Sequence, residues 1–388
     1  MFGRAGINFG RMGAIPPLWT LAGASLDLDF VGNRGWVTGA GQVGASALLT
    51  TTRNSVAWAD NEAGVWSSFA VNTPRITNKG LLVEEASTNV VLHNRDLTSV
   101  AWTASNVTAA KDQVGVDGVA NSASSILATA NAGTITQAIT LASSARWQSV
   151  FAKRLVGAGT LEMSMDGGTT YTDITPTGAE WQRKAIATQT LANPEPRFRI
   201  QTDTDKFAID FVQNENGTFA ASPIAVTTVA VARSADVITR LGTISLAGTL
   251  YAEVMIPAHP TGASNFTIFG ADNNGATERV DLMTNTAGAT VNLFSRNAAG
   301  IQVSITSANT YSLGTAFKVA GAYAQDDAAL SLSGGTVGTD TSGDVSSLLD
   351  RFRLGSRAGT TVLLNGYLRR VAYFPTRLSN AQIKALTA

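Results

Sequence analysis

From Trp147 onward the sequence repeats one short pattern. Runs rich in β-branched and aromatic residues (Trp147–Leu155, Thr160–Met165, Tyr171–Ile174, Trp181–Thr188, Arg197–Gln201, Phe207–Gln213) alternate with turn formers such as Asp166-Gly167-Gly168, Pro194 and Asn216-Gly217. Past Pro223 to Arg240 the pattern resumes in Thr249–Ile256, Asn265–Phe269, Glu278–Met283, Val291–Ser295, Ile301–Ile305, Ala316–Tyr323 and Ala328–Ser333. Branched and ring side chains suit a pleated, half-buried surface, so each run is expected as a strand. Strands recurring about every 8 to 12 residues between turn signals point to stacked antiparallel sheets. The expected fold is all-β, with two antiparallel β-sandwich (jelly-roll) domains behind an extended N-terminal arm and one short C-terminal helix.

The end of the chain is the best specified stretch. Asn365-Gly366 is a turn signal, and the aromatic and apolar run Tyr367–Phe374 follows. By period two, Tyr367, Arg369, Val371 and Tyr373 share one face, and Leu368, Arg370, Ala372 and Phe374 the other. Pro375 removes a backbone donor, and Ser379 to Gln382 has capping-box spacing, with Leu378 and Ile383 placed as a hydrophobic staple. A last strand should therefore lead into one short, capped helix. This wording, LNGYLRRVAYFPTRLSNAQIKAL, resembles the closing strand and helical turn of laminin-G-like, concanavalin-type jelly-roll modules. That resemblance implies a β-sandwich, often glycan-facing, over residues 236–388, and names no ligand.

A second phrase, GLLVEEASTNVVLHNRDLTSVAWTASN from Gly80, resembles a recurring segment of tail-fibre and other virion proteins of tailed bacteriophages. There it precedes a carbohydrate-binding-module-like jelly roll, which implies such a domain over residues 80–235. Residues 26–79 form an N-terminal β region, opened by the alternating strand Leu26–Phe30, with Trp36–Thr38 and Ala47–Thr52 as further short strands. Trp58, Trp66 and Phe69 follow in a polar stretch; packing in a core or interface is the commoner fate of tryptophan, and an exposed platform for sugar rings is the alternative.

Residues 1–25 read as an attachment arm. Gly and Pro are frequent there, and Phe2, Ile7, Phe9 and Trp19 are apolar groups that so short a segment cannot bury against itself, which makes them candidate assembly contacts on a neighbouring subunit, with packing along their own domain as the alternative. Arg4 and Arg11 ahead of Met12–Ala24 imitate a secretion signal, but Pro16-Pro17 interrupts the apolar part.

Charge excludes several functions. Lys plus Arg is 28 and Asp plus Glu is 28, so no long-range field recruits nucleic acid or an anionic membrane. There is no cysteine, which rules out disulfides and thiolate metal sites. No apolar run approaches the roughly 18 to 20 residues that a bilayer requires.

No reaction is visible in the motifs, and neither a cofactor nor a metal is expected. Gly39-Ala40-Gly41-Gln42-Val43-Gly44 matches GxGxxG, but a β-rich run comes after it where a helix is needed. Glu84 and Glu85 are adjacent and would face opposite sides of a strand. Glu162 and Glu180, on neighbouring expected strands, are the remaining carboxyl pair for a glycosidase. Asp203-Thr204-Asp205 and Asp326-Asp327 lack the spacing of a dedicated calcium loop. His93 and His259 have no partner motif. The candidate ligand loop is Asp272-Asn273-Asn274, between two strands. Arg351, Arg353, Arg357, Arg369, Arg370 and Arg377 would suit an anionic polysaccharide or a neighbouring subunit if they shared a face; scattered strand-edge arginines are the ordinary alternative.

These readings, together with the resemblances, lead to a non-enzymatic virion structural protein, a phage tail fibre or spike contacting host surface glycans. Its expected partners are other virion proteins, bound through the arm, copies of itself in a homotrimer, and host surface polysaccharide, with no nucleic acid and no membrane insertion. It would be assembled in the host cytoplasm and act extracellularly on the virion. The alternatives are a head or tail decoration protein without glycan binding, and a polysaccharide-active enzyme carrying binding modules.

Overall fold

The computed structural model describes residues 17, 20–217, 220–259, 265–358 and 363–388. Phe2, Ile7, Phe9 and Trp19, the apolar groups of the expected arm, lie outside the described residues. The protein is nearly all β, built of antiparallel sheets with one short C-terminal helix.

The strand Gly366–Phe374 is the spine of a ten-stranded sheet. One of its edges pairs with Gly248–Met255. The other edge takes two N-terminal strands end to end: Arg370–Tyr373 pairs with Leu26–Asp29, and Gly366–Leu368 with Leu81–Val83. A seven-stranded sheet faces it, running in order Gly300–Thr306, Thr290–Asn297, Arg279–Asn285, Asn265–Asp272, Arg351–Leu354, Val237–Leu241 and Thr50–Thr52. Between the two lies one core, where Leu26, Leu28, Phe30, Ile76 and Leu81 pack with Leu250, Phe269, Leu282, Leu293 and Tyr373. In sequence order residues 26–79 precede the middle of the chain, whereas in space most of their strands lie in the sheets of the C-terminal sandwich.

A second sandwich lies within this frame. One sheet holds Thr103–Ser105, Gly133–Thr136, Arg197–Ile200, Leu161–Ser164 and Thr172–Asp173; the other holds Val107–Gln113, Ala123–Ala128, Lys206–Asn216, Ser144–Val156 and Gln182–Leu191. Ile126, Val150, Met163, Phe198, Phe207 and Ile209 fill its core. The chain enters along Ser87–Asn89 and leaves along Val231–Arg233, and these two short strands pair antiparallel as a neck. The middle sandwich is thus an insertion, entered and left through a two-stranded connection, in a sandwich whose own strands come from both ends of the chain.

Two bulges change which side chains face where. In the spine strand the register slips, so that Glu253 sits opposite Arg370 and Val254 opposite Leu368. Arg369 is the extra residue, and Leu368 therefore joins Val371 and Tyr373 in the core, against the strict alternation expected from the sequence. In Lys206–Asn216 a slip near Phe211, whose φ is 46°, keeps Val212 in the core and turns Phe211 outward. A bulky side chain in the left-handed region is costly, so an external contact has to hold it there.

The helix Asn380–Thr387 begins as expected. Ser379 accepts the Gln382 N–H at 3.3 Å, and the Gln382 side chain accepts the Ser379 N–H at 2.8 Å. Ile383 and Leu378 rest on a floor of Ala320, Ala322, Ala329 and Ala372, whose small side chains let the helix approach the outer sheet face closely. The GxGxxG match lies in an antiparallel sheet and leads into a 3-10 turn at Ala45–Leu48, where the sequence suggests strand.

Candidate functional site

The most unusual chemistry sits at the neck. The side chains of Arg53, Arg75 and Asp236 are fully buried. Arg53 donates to Asp236 at 2.9 Å, and Arg75 forks between Asp236 and Glu84, reaching the latter at 2.6 Å. Arg233 closes on Glu84 at 3.6 Å. Glu84 also accepts the Ser222 N–H at 2.8 Å, while its own N–H donates to Asp236 at 3.0 Å. Burial works against the charge of Glu84, but Arg233 and Arg75 overcome it and hold the carboxyl at about 2. Burial likewise opposes the charge on Arg75, and Asp236 and Glu84 raise its pKa in spite of it. A buried network with its partners in place fixes geometry, because every member loses by moving. Here it ties residues before the insertion (Arg53, Arg75, Glu84) to residues within it and after it (Ser222, Arg233, Asp236).

The phrase beginning at Gly80 supplies further ties. Asn89 donates to the Val212 and Ile224 carbonyls at 3.0 and 3.2 Å and accepts the N–H groups of Val91 and Asn214, both at 3.1 Å. Glu85 N–H donates to Asn365 at 2.8 Å, which links the phrase to the turn before the spine strand.

Above the neck the hairpin Ala57–Asp60/Trp66–Phe69 leans on the middle sandwich. Trp58 meets Phe211 edge-on at 5.1 Å, and Trp66 meets Phe151 at 5.2 Å. Arg95, bonded to Asp210 at 2.7 Å and to Asp117 at 2.8 Å, lies 4.1 Å from the Phe211 ring centroid. This contact holds Phe211 in its strained backbone. Trp58 thus serves interface packing, and Trp66 packs on Phe151 at the same interface.

Where hairpin, neck and both sandwiches meet, a cavity of about 260 Å³ opens. Trp66, Trp147, Tyr367, Leu82 and Pro257 give it an aromatic and apolar wall, and Arg183, Glu84 and Asn365 give it polar points. Trp147 and Arg183 come from paired strands of the insertion. Arg183 donates to Ser149 at 3.3 Å and to the Ala221 carbonyl, and no carboxylate lies within 4 Å of it among the described residues. Burial lowers its pKa. The Trp147 indole N–H finds no acceptor among the described residues. An aromatic wall with a few fixed polar groups is the usual make-up of a small-ligand site.

A larger hollow of about 430 Å³ lies on the middle sandwich beside His93 and Arg95, but its cations are already matched, Arg95 by Asp210 and Asp117 and Lys111 by Asp96 at 3.3 Å.

The residues singled out in the sequence turn out mostly to have structural partners. Asp272 is 2% exposed and ion-paired with Arg353, which also donates to Asn274 at 2.9 Å. Asn273 accepts the Gly275 N–H at 3.0 Å, so this loop's polar groups are engaged in holding the turn and the sheet. Glu162 is bonded to Arg199 and to Gln201 at 2.5 and 2.6 Å, and its strand is in the sheet opposite that of Gln182–Leu191, so Glu162 and Glu180 are not on neighbouring strands. Asp166 accepts the Thr170 N–H at 2.9 Å and so serves its turn. Asp205 accepts the Gly159 N–H at 2.6 Å, and Asp327 pairs with Arg377 at 2.7 Å. Among the described residues no group of three or more His, Asp and Glu converges as a metal site. His259 bonds Tyr311 at 2.9 Å.

The C-terminal arginines do not form one patch. Arg351 and Arg353 belong to the seven-stranded sheet, and Arg369 and Arg370 to the ten-stranded one, where Glu253 and Asp27 match them at 2.6 Å each. Arg53, Arg75, Arg183, Arg233 and Asp236 escape notice as a group in the sequence, because nothing local announces that side chains so far apart converge. The one signal is charge placed inside apolar strand sequence, as in Gly80–Glu85.

The chain matches no protein-family model and no curated protein. Among solved structures it is similar to the carbohydrate-binding module (CBM40) of a Ruminococcus gnavus IT-sialidase bound to α2,3 sialyllactose, at 17% identity and TM-score 0.33, over 38% of this chain and 84% of that one. It is similar to domains LG4-5 of the mouse laminin α1 chain at 10% identity and TM-score 0.25, over 66% and 93%. A heptameric SAP-like pentraxin from Limulus polyphemus is similar at 12% identity and TM-score 0.27, over 37% and 70%. Likenesses this distant assign no function, and the junction has to be judged by its own geometry.

Proposed function

We propose that this chain is a non-enzymatic structural component of a tailed-bacteriophage virion, a fibre or spike that contacts host surface glycans. The observation that carries the glycan contact is the junction cavity, where Trp66, Trp147 and Tyr367 surround a guanidinium. Sugar rings present flat C–H faces that pack on aromatic rings, while their hydroxyls need a few fixed donors and acceptors; the wall supplies both. The place on a virion rests on the resemblance of the phrase at Gly80, and in the structure that phrase holds the neck together through Glu84, Glu85 and Asn89. On this reading residues 1–25 attach the protein to other virion components, and it acts outside the cell as a homotrimer. A single shallow sugar site binds weakly, and several copies on one particle raise the avidity through effective concentration.

Soluble full-length protein added to host cells should block adsorption of the particle, and Trp66→Ala should lose that effect while keeping the fold. Light scattering on the purified chain should give a mass three times that of the monomer. Failure of the wild-type protein to bind cells or their polysaccharide removes the glycan reading. A second reading, a brace that decorates the particle without binding sugar, is favoured by the buried ion cluster that fixes the insertion to its frame. It predicts particle incorporation with no block of adsorption. The intact chain is needed throughout, because residues 236–388 alone lack the strands Leu26–Asp29 and Gly80–Val83 that complete their sheet.

A further inference from the structure

We infer that the junction cavity selects a carboxylate-bearing sugar ring, with the carboxylate on Arg183 and the ring against Trp66. The inference deepens the glycan reading above and rests on it. Most buried or half-buried arginines of this protein face a carboxylate: Arg53 and Arg75 face Asp236, Arg95 faces Asp210, Arg353 faces Asp272, and Arg370 faces Asp27. Arg183 does not. Its Nη2 carries both of its hydrogen bonds, to Ser149 and the Ala221 carbonyl, which leaves Nε and Nη1 without a protein acceptor among the described residues. Arg146 and Arg240 also lack an ion pair among the described residues, but they spend their protons on carbonyls, those of Ala142 and Leu191 and that of Leu48, and neither lines this cavity.

The acid already in the wall does not cancel Arg183. Glu84 has one oxygen on the Ser222 N–H and the other on Arg75, with Arg233 beside it, so its charge is met from behind by two other arginines. Arg183 is also held in place: the Phe151 ring lies 5.7 Å below its guanidinium, and the Ala221 carbonyl pins one end. Nε–H and Nη1–H lie on different edges of the guanidinium plane, so a carboxylate is met here by a single charge-assisted bond from one of these fixed free donors. Such a pair gains strength where the surroundings are apolar, and Trp66, Trp147 and Tyr367 line the cavity beside Arg183. The volume, about 260 Å³, lies under the roughly 300 to 1,000 Å³ of drug-sized sites and suits one sugar ring better than a buried chain.

The test compares two sugars that differ only in the acid. Methyl β-glucuronide and methyl β-glucoside are titrated into the full chain at moderate salt, followed by tryptophan fluorescence and calorimetry. The glucuronide is expected to bind about tenfold more tightly, as one charge-assisted hydrogen bond would give. Arg183→Gln should erase the preference and Arg183→Lys should restore part of it, with near-ultraviolet circular dichroism confirming the fold of each. Equal affinity of the wild-type protein for both glycosides overturns the inference and leaves the glycan reading standing, as does a preference that survives Arg183→Gln. If neither glycoside binds, the inference also falls, and the glycan reading is then judged by the adsorption block alone.

Discussion

Replacing Asp236 by Ala should cost the protein more than any surface change. The Asp236 carboxylate has no exposed surface and accepts from three donors: Arg53 at 2.9 Å, the short bond from Arg75, and the Glu84 N–H at 3.0 Å. Removing it leaves two guanidinium groups and a backbone N–H buried beside Arg233, with Glu84 as the remaining acid. Breaking a buried pair from one side typically costs about 3 to 5 kcal/mol, because the orphaned charge keeps its desolvation penalty. In a unit of this size each kcal/mol moves the melting point by about 2 to 4 °C, so a fall on the order of 10 °C is expected. Urea unfolding with circular dichroism and tryptophan emission read in parallel would measure it and would show whether frame and insertion separate into two transitions. The loss should appear in the transition of the frame. Apolar replacement of Arg53, Arg75 and Asp236 together should cost less than Asp236→Ala alone, since no charge is then stranded. A single variant within about 1 kcal/mol of wild type would refute the reasoning, because it would mean that water reaches the cluster.

Other outcomes depend on single features. The Glu84 carboxyl sits at about 2 in the folded protein, below the usual range near 4.3, so its stabilisation is present above that range and fades as the pH falls toward 2. Unfolding midpoints between pH 5 and pH 2 should therefore fall less steeply in Glu84→Gln than in wild type. Asp281 shows the opposite sign: burial, aided by the like charge of Asp272, lifts its carboxyl to about 7 although Arg279 stands 2.9 Å away. Its folded form binds the proton more tightly than the unfolded chain, so through this group stability falls as the pH rises from about 4 to 7. Asp281→Asn should gain on wild type between pH 5 and pH 8, and a constant difference would sink the argument. Gly80 has φ 125°, and a Cβ there would lie 2.3 Å from the Leu368 carbonyl oxygen; Gly80→Ala should destabilise by more than about 1 kcal/mol in thermal melts. Ser379→Ala removes the cap of the last helix and should cost about 1 kcal/mol, read by hydrogen exchange at Gln382.

The strands themselves are legible in the sequence because each is set locally by branched and ring side chains between turn formers. Ala316–Tyr323 is legible to the residue, and Trp147–Leu155 falls within Ser144–Val156. Their partners are not legible. Leu26–Asp29 alternates like any half-buried strand, and nothing in it says that its neighbour is Arg370–Tyr373 at the far end of the chain. Short strands such as Ser87–Asn89 and Val231–Arg233 carry too few residues to show a period, although they make the neck. Bulges escape for a related reason: one extra residue at Arg369 or near Phe211 exchanges the faces of every later residue in its strand, and composition does not register it. At the junction the aromatic residues Trp58, Trp66 and Phe69 are visible as a group. The cavity that Trp66 lines is not, because Trp147, Arg183 and Tyr367 reach it only through tertiary contacts.

The insertion also sets a timetable during synthesis. The middle sandwich is contiguous in the chain, so it has all its strands once about residue 216 has left the ribosome. The frame has to wait: Leu26 and Leu28, which end up fully enclosed, pair on one side with Arg34–Val37 but stay without their second partner strand until Arg370–Tyr373 is made. At about 5 to 20 residues per second that interval lasts on the order of tens of seconds, during which an apolar edge is open to solvent. Nascent chains arrested near residue 300 should therefore show a protease-resistant middle tethered to a digestible beginning, and a beginning that resists digestion at that length would contradict the pairing. A cell that makes this protein well has to shelter its first strands until its last arrives.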